Sequence, residues 1–213
     1  MLARASVLRV TSKPDLRERR RLATESEIED VAFDLFEKRG FEGTTVDDIA
    51  AEAGLSQRTF FRYFPTKEDA ALGSYRVFEA LLTACLERRA AGTWALRDIE
   101  TAVADALTEL GSERPAVVTR MLRVRRLVAQ DEALRSAALR REAEQCERFL
   151  RLLAAATGSR PVDARVRLVA EVVSATLRVA FDEWAAQRKP DGETALADVY
   201  RATCARLREV VAD

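Results

Sequence analysis

Residues 44–67, TTVDDIAAEAGLSQRTFFRYFPTK, carry the most informative alternation of apolar and polar positions in the chain. Val46, Ile49, Ala50 and Ala53 fall at i, i+3, i+4 and i+7, which makes one face of a short helix apolar. Thr45, with Asp48 three residues on, reads as a capping box that starts this helix. Gly54 suits the left-handed conformation that ends it. Leu55 then turns inward, and Ser56 caps a second helix, Gln57–Phe64, which Pro65 closes. Phe60 and Phe64 mark its inner side, so Gln57, Arg58, Thr59 and Arg62 project outward near its start. The pattern predicts a helix-turn-helix with a polar recognition face. A pair of amphipathic helices joined by Gly is also an ordinary packing unit of all-α proteins.

Helical periodicity extends over the rest of the chain. Thr24 and Glu27 form a capping-box pair before the stripe Ile28, Val31, Ala32, Leu35 and Phe36, which places the start of helix one near Thr24 or back through the preceding arginines. Gly40 stops it. Pro65 or Thr66 opens a long fourth helix to about Arg89, with Phe78, Leu81, Leu82, Cys85 and Leu86 inward. After Gly92 the chain punctuates into helices over 97–110, ended by Gly111; over 115–130, with Pro115 in its first turn; over 132–157, ended by Gly158; over 163–189, ended by Pro190; and over 194–211. The penultimate helix is apolar beyond one face (Val166, Leu168, Val169, Val172, Val173, Leu177, Val179, Phe181, Trp184). Such a helix needs cover on several sides, and a second subunit is the natural source. The last helix adds Leu196, Val199, Tyr200, Thr203, Leu207 and Val210. The fold class is therefore all-α: an N-terminal three-helix helix-turn-helix domain and a C-terminal helical bundle.

Composition narrows the chemistry. With 35 Lys and Arg against 35 Asp and Glu in 213 residues, formal net charge is zero, so attraction to a polyanion has to be local. The absence of His rules out imidazole bases and His–metal sites. Cys85, Cys146 and Cys204 are widely spaced, odd in number and form no C-x-x-C, as expected of small apolar residues in a reducing compartment. No apolar run has the length of a membrane span, and Arg4 and Arg9 interrupt the start of the chain, which points to a soluble cytoplasmic protein. Glu142 and Glu144 fall on surface-like helical positions, and no nucleophile–base spacing occurs. The sequence predicts no enzyme and no cofactor.

Arg17, Arg19, Arg20 and Arg21 form a basic cluster ahead of the first helix. A charge run is usually a solvated face. Beside a helix-turn-helix, Arg20 and Arg21 can instead reach phosphates or a minor groove. The segment TTVDDIAAEAGLSQRTFFRYFPTKED, with its Phe-Pro-x-Lys exit, closely resembles the DNA-binding signature of the TetR family of bacterial transcriptional regulators. The resemblance implies an all-helical homodimer on a palindromic double-stranded operator, released by a small ligand. It also implies a phosphate contact for Lys67, whose position in a helix first turn is otherwise unfavourable to the helix dipole. Gln57, Arg58 and Thr59 would then face base edges, with Arg suited to guanine and Gln to adenine, and Thr45, Ser56, Tyr63 and Lys67 would sit on phosphates.

This divides the chain into a flexible basic arm (1–23), the DNA-binding domain (24–66) and a ligand-binding and dimerisation domain (67–213). An apolar effector pocket is expected around Phe78, Leu82, Leu122, Phe149, Leu153, Leu177 and Phe181, with a solid core as the alternative. MLRVRRLVAQDEALRSAALRREAEQ and FDEWAAQ bear a looser resemblance to the mycofactocin-system regulators, a TetR subgroup. That likeness implies an acyl-CoA effector whose phosphate meets Arg123, Arg125 or Arg126; solvent-facing helix positions are the alternative for these arginines. An adaptor that keeps the fold without binding DNA, and a helical enzyme, are the competing classes.

Overall fold

The computed structural model describes residues 16–88, 95–157, 162–187 and 195–212, the side chains of Glu18, Ala156 and Thr157 excepted. All regular structure among them is α-helical: α1 Leu16–Arg39, α2 Val46–Glu52, α3 Gln57–Tyr63, α4 Lys67–Ala71, α5 Ser74–Glu87, α6 Leu96–Glu113, α7 Pro115–Gln130, α8 Glu132–Thr157, α9 Ala164–Ala186 and α10 Leu196–Ala212. Residues 1–15 of the expected flexible arm, the boundary at Gly92 and the stops at Gly158 and Pro190 lie outside the described residues.

The N-terminal module packs α1 against α2 and α4, with α2 on α3. Its centre is aromatic: Phe33, Phe36, Phe41, Phe60 and Phe64 are almost wholly buried, together with Ile28 and Ile49. Burying a side chain of this size stabilises by about 1.5–3 kcal/mol, enough in sum to hold a short three-helix unit. Phe36 and Phe41 meet at 5.1 Å between ring centroids, which returns the loop after α1 to the core. Gly40, at φ 77°, makes that reversal, and the Thr44 hydroxyl donates to its carbonyl at 2.9 Å.

Helix α1 takes the longer of its two expected starts: it already runs from Leu16, so the basic cluster is helical and Thr24 lies inside the helix rather than capping it. Two other boundaries differ from the sequence expectation. The expected long fourth helix is two helices, α4 and α5, parted at Leu72–Gly73. Gly73 has ordinary helical torsions (φ −62°, ψ −36°). What requires glycine there is space: a Cβ would lie 2.1 Å from Glu29 Oε1 on α1 and 3.2 Å from the Asp69 carbonyl oxygen. Helix α6 runs through Gly111 to Glu113. Gly111 carries no helix-breaking contact, whereas Arg114 precedes Pro115 and is forced out of the helical region (φ −138°, ψ 55°).

Helices α5–α10 form the second bundle. α10 packs on α9 and α6, α5 on α6, and α8 on α9. Helix α7 also lies on α1 and ties the modules together through charge. Arg120 Nε is 3.0 Å from Glu29 Oε2, and its Nη1 donates to Ser26 Oγ at 2.9 Å. Arg123 donates to Asp34 at 2.6 Å and to both Glu37 carboxylate oxygens at 2.8 Å, over the Phe33 ring. Asp131, at the α7–α8 corner, accepts from Leu134 N at 2.9 Å as the cap of α8 and from Phe41 N at 3.3 Å across the module boundary.

Candidate nucleic-acid interface and buried cavity

The local chemistry of the helix pair follows the sequence closely. Thr45 Oγ1 accepts from Asp48 N at 3.1 Å while Asp48 Oδ2 accepts from Thr45 N at 2.9 Å, a complete capping box. Gly54, at φ 66°, turns the chain, and Leu55 N donates to the Ala50 carbonyl at 2.8 Å. Ser56 Oγ accepts from Thr59 N at 3.1 Å and lies 2.9 Å from Thr59 Oγ1. Phe60 and Phe64 are fully buried beneath α3. Ser56, Gln57, Arg58 and Arg62 are therefore exposed on one rigid face, with Thr59 half-buried beside them.

Tyr63 is half-buried at the end of α3. Arg62 and, from α1, Thr24 both hydrogen-bond its hydroxyl and draw its pKa below the usual phenol range. Thr24 thus fixes α3 to α1. Arg20 is exposed one turn earlier on α1, and Arg21 is ion-paired with Glu25. Phe61, absent from the sequence-derived site, is 47% exposed on the outward face of α3. Its signal was available in the helical period: the residue after an inward Phe60 lies about 100° around the helix.

Lys67 has a role in the fold that the sequence did not announce. Its ammonium donates to the carbonyl oxygens of Phe41 at 2.8 Å and Thr44 at 3.1 Å and sits 4.2 Å from the Phe41 ring centroid. These are the carbonyls of the α1–α2 loop, so the lysine is an internal brace of the module with at most one proton left for a phosphate.

A second feature lies between α5, α8 and α9, a cavity of about 90 Å³. Phe78, Leu82, Phe149, Leu177 and Phe181 of the expected pocket line it. Leu122 and Leu153 do not; both are buried elsewhere in the core, and Leu152, one position along α8, takes the wall instead. Tyr75, Glu142, Gln145 and Arg178 supply polar groups that the sequence reading missed. Glu142 is three-quarters buried, unlike Glu144, which stays on the surface.

Two of the three arginines tied to the looser resemblance, Arg123 and Arg125, are not solvent-facing. Arg125 is buried, 2.7 Å from Glu142 Oε1 and 3.0 Å from Asp182 Oδ1, and Arg123 is held by α1. Arg126 is exposed, with Nε 3.5 Å from the Ala185 carbonyl. Cys85 and Cys204 are buried free thiols, and burial pushes both above the ordinary thiol range.

The sequence model for bacterial regulatory proteins of the tetR family matches residues 28–70, which is α1 from Ile28 through the end of α4's interior. The chain is also 33% identical over 204 residues to the HTH-type transcriptional regulator TcmR of Streptomyces glaucescens, covering 94% of this chain and 90% of that one. This chain belongs to the TetR family. Like its relatives, this TetR-family protein is a DNA-binding transcriptional regulator and not an enzyme. It is 29% identical over 166 residues to the mycofactocin biosynthesis regulator MftR of Mycobacterium tuberculosis, covering 78% of this chain and 82% of that one. A TetR-family regulator from Streptomyces coelicolor shares the fold (TM-score 0.51, 21% identity, 95% of this chain and all of that one). Among the described residues, no helix is long and apolar enough to cross a membrane.

Proposed function

We propose that the protein is a one-component repressor that binds a palindromic operator as a homodimer and is released by a small lipophilic effector. The observation that carries this reading is the continuity of one structural path. The exposed face Gln57–Arg62 sits on α3, α4 follows directly, and α5 then lines the cavity with Tyr75, Phe78 and Leu82. A guest that shifts α5 changes the position of α4 and hence of the recognition helix. Gln57, Arg58 and Thr59 read bases, while Thr45, Ser56, Tyr63, Arg20 and Arg21 position the module on the backbone. Residues 24–66 serve as the DNA-binding unit, extended by the helical arginines before Thr24, and residues 67–213 serve effector binding and dimerisation. Regulation is a population shift between a dimer that matches successive major grooves and one that does not.

An acyl-CoA effector is the less supported choice, because Arg123 and Arg125 are already committed to carboxylates. The deciding experiment is footprinting of the purified protein on DNA upstream of its own gene, with and without candidate effectors. Protection of a palindrome that is lost on effector addition is the expected result. Sequence-independent binding, or none, would leave the fold without this function.

A further inference from the structure

We propose that the cavity's effector is a compact, neutral, hydroxylated aromatic molecule, which donates a hydrogen bond to Glu142 and accepts one from Tyr75. This rests on the reading of the cavity as the effector site. Size comes first. The space of about 90 Å³ takes a one-ring guest, and past Glu142 and Arg178, which line both, a wider cleft of about 890 Å³ opens toward Arg125, Arg126 and Asp182. The walls are aromatic and set edge to face: Phe181 meets Tyr75 at 5.6 Å and 67°, and Phe78 at 6.4 Å and 85°. Such a lining offers ring faces and edges to a planar guest.

Polarity decides the class. Two buried atoms on lining residues are short of a hydrogen bond: Glu142 Oε2 has no donor, and the Tyr75 hydroxyl, beside the Arg125 guanidinium, has no acceptor. Burial pushes the Tyr75 phenol up to about 12, so it stays a donor. The other Glu142 oxygen accepts from Arg125 at 2.7 Å, and Arg178 Nη1 stands 3.7 Å from Oε2. The carboxylate is thus charge-balanced yet short of one hydrogen bond. A carboxylate or phosphate guest would face two lining carboxylates, Glu142 and Glu79. A cation would find both lining carboxylates already paired, Glu142 with Arg125 and Glu79 with Arg148. A neutral hydroxyl on a ring both donates and accepts, and so satisfies both orphan atoms.

The test uses the full-length protein with a matched probe series: 4-methylphenol, toluene, 4-methylbenzoate and lauroyl-CoA. Binding is read by calorimetry, and release is read on the operator. The expected result is that 4-methylphenol binds about tenfold or more tighter than toluene and the benzoate, the scale of a hydrogen bond to a charged group. In Tyr75→Phe, which leaves the Arg125–Glu142 pair in place, and in Glu142→Gln, the phenol-over-toluene preference should shrink to about twofold or less. Tighter binding of the benzoate or of lauroyl-CoA overturns the proposed class and leaves the cavity as effector site. Equal binding of the phenol to Leu177→Trp, which fills the cavity, overturns the cavity reading itself. Absence of binding by the whole series overturns the proposal, as does a preference that survives both polar substitutions.

Discussion

Individual side chains on the recognition module divide by whether they also hold it together. Arg58 is exposed and contributes nothing visible to packing. Arg58→Ala should cost about 1–3 kcal/mol of operator affinity, relax preference at one base pair, and leave thermal stability within about 0.5 kcal/mol of the parent. Lys67 is different, since its ammonium braces two loop carbonyls over Phe41. Lys67→Ala should lower the melting temperature by the equivalent of about 1–3 kcal/mol as well as weakening DNA binding. Calorimetry on both variants beside operator titrations separates the roles; an unchanged melting temperature for Lys67→Ala would show that the brace is energetically idle. Phe61 belongs with Arg58: its exposed ring suits a thymine methyl, so Phe61→Ala should reduce affinity for the operator more than for random DNA.

At the scale of elements, the α1–α7 junction is the informative part. Glu29 on α1 is buried against Gly73 and paired with Arg120 on α7. Burial outweighs the nearby arginines and raises its pKa from 4.5 to about 7. A carboxyl that binds protons more tightly in the folded chain contributes stability that is full below the ordinary Glu range. That contribution is lost as pH rises through about 7. Between pH 5 and 8 the wild type should therefore lose stability relative to Glu29→Gln, by up to about 3 kcal/mol. Parallel melting curves of the two proteins across that range would disprove the assignment. Gly73→Ala should act on the same contact, since its methyl displaces the Glu29 carboxylate from Arg120 or breaks the α4–α5 bend.

For the whole molecule, the faces left open matter most. Helix α9 buries Ala170, Val173, Thr176, Ala180, Phe181 and Trp184, yet exposes Leu168 at 64% and Val179 at 47%, with Val172 half-covered between them. Exposed large apolar side chains aligned at helical spacing are the expected mark of a self-complementary interface. Leu168→Glu with Val179→Glu should give a folded monomer by sedimentation at micromolar concentration that no longer protects the palindrome. Half-sites roughly 34–36 Å apart require two recognition helices held at fixed spacing. A double variant that remains dimeric would move the interface to another face.

The sequence by itself determined the helix-turn-helix almost atom for atom. Its signals are local: Thr45 with Asp48, Gly54 after a short apolar face, and Ser56 before Gln57 each act within one helical turn. It determined the all-helical class for the same reason, since a 3.6-residue period fixes which side chains share a face. Tertiary structure decided what depends on a neighbour far along the chain. The helix breaks at Leu72, and Gly73 follows it because Glu29 from α1 occupies the space of a side chain. Lys67 turns inward because the α1–α2 loop presents two carbonyls. Arg123 and Arg125 are taken from solvent by carboxylates on α1, α8 and α9. Leu152 rather than Leu153 meets the cavity because the rotation of α8 about its own axis is set by packing on α9, and no local pattern encodes that angle.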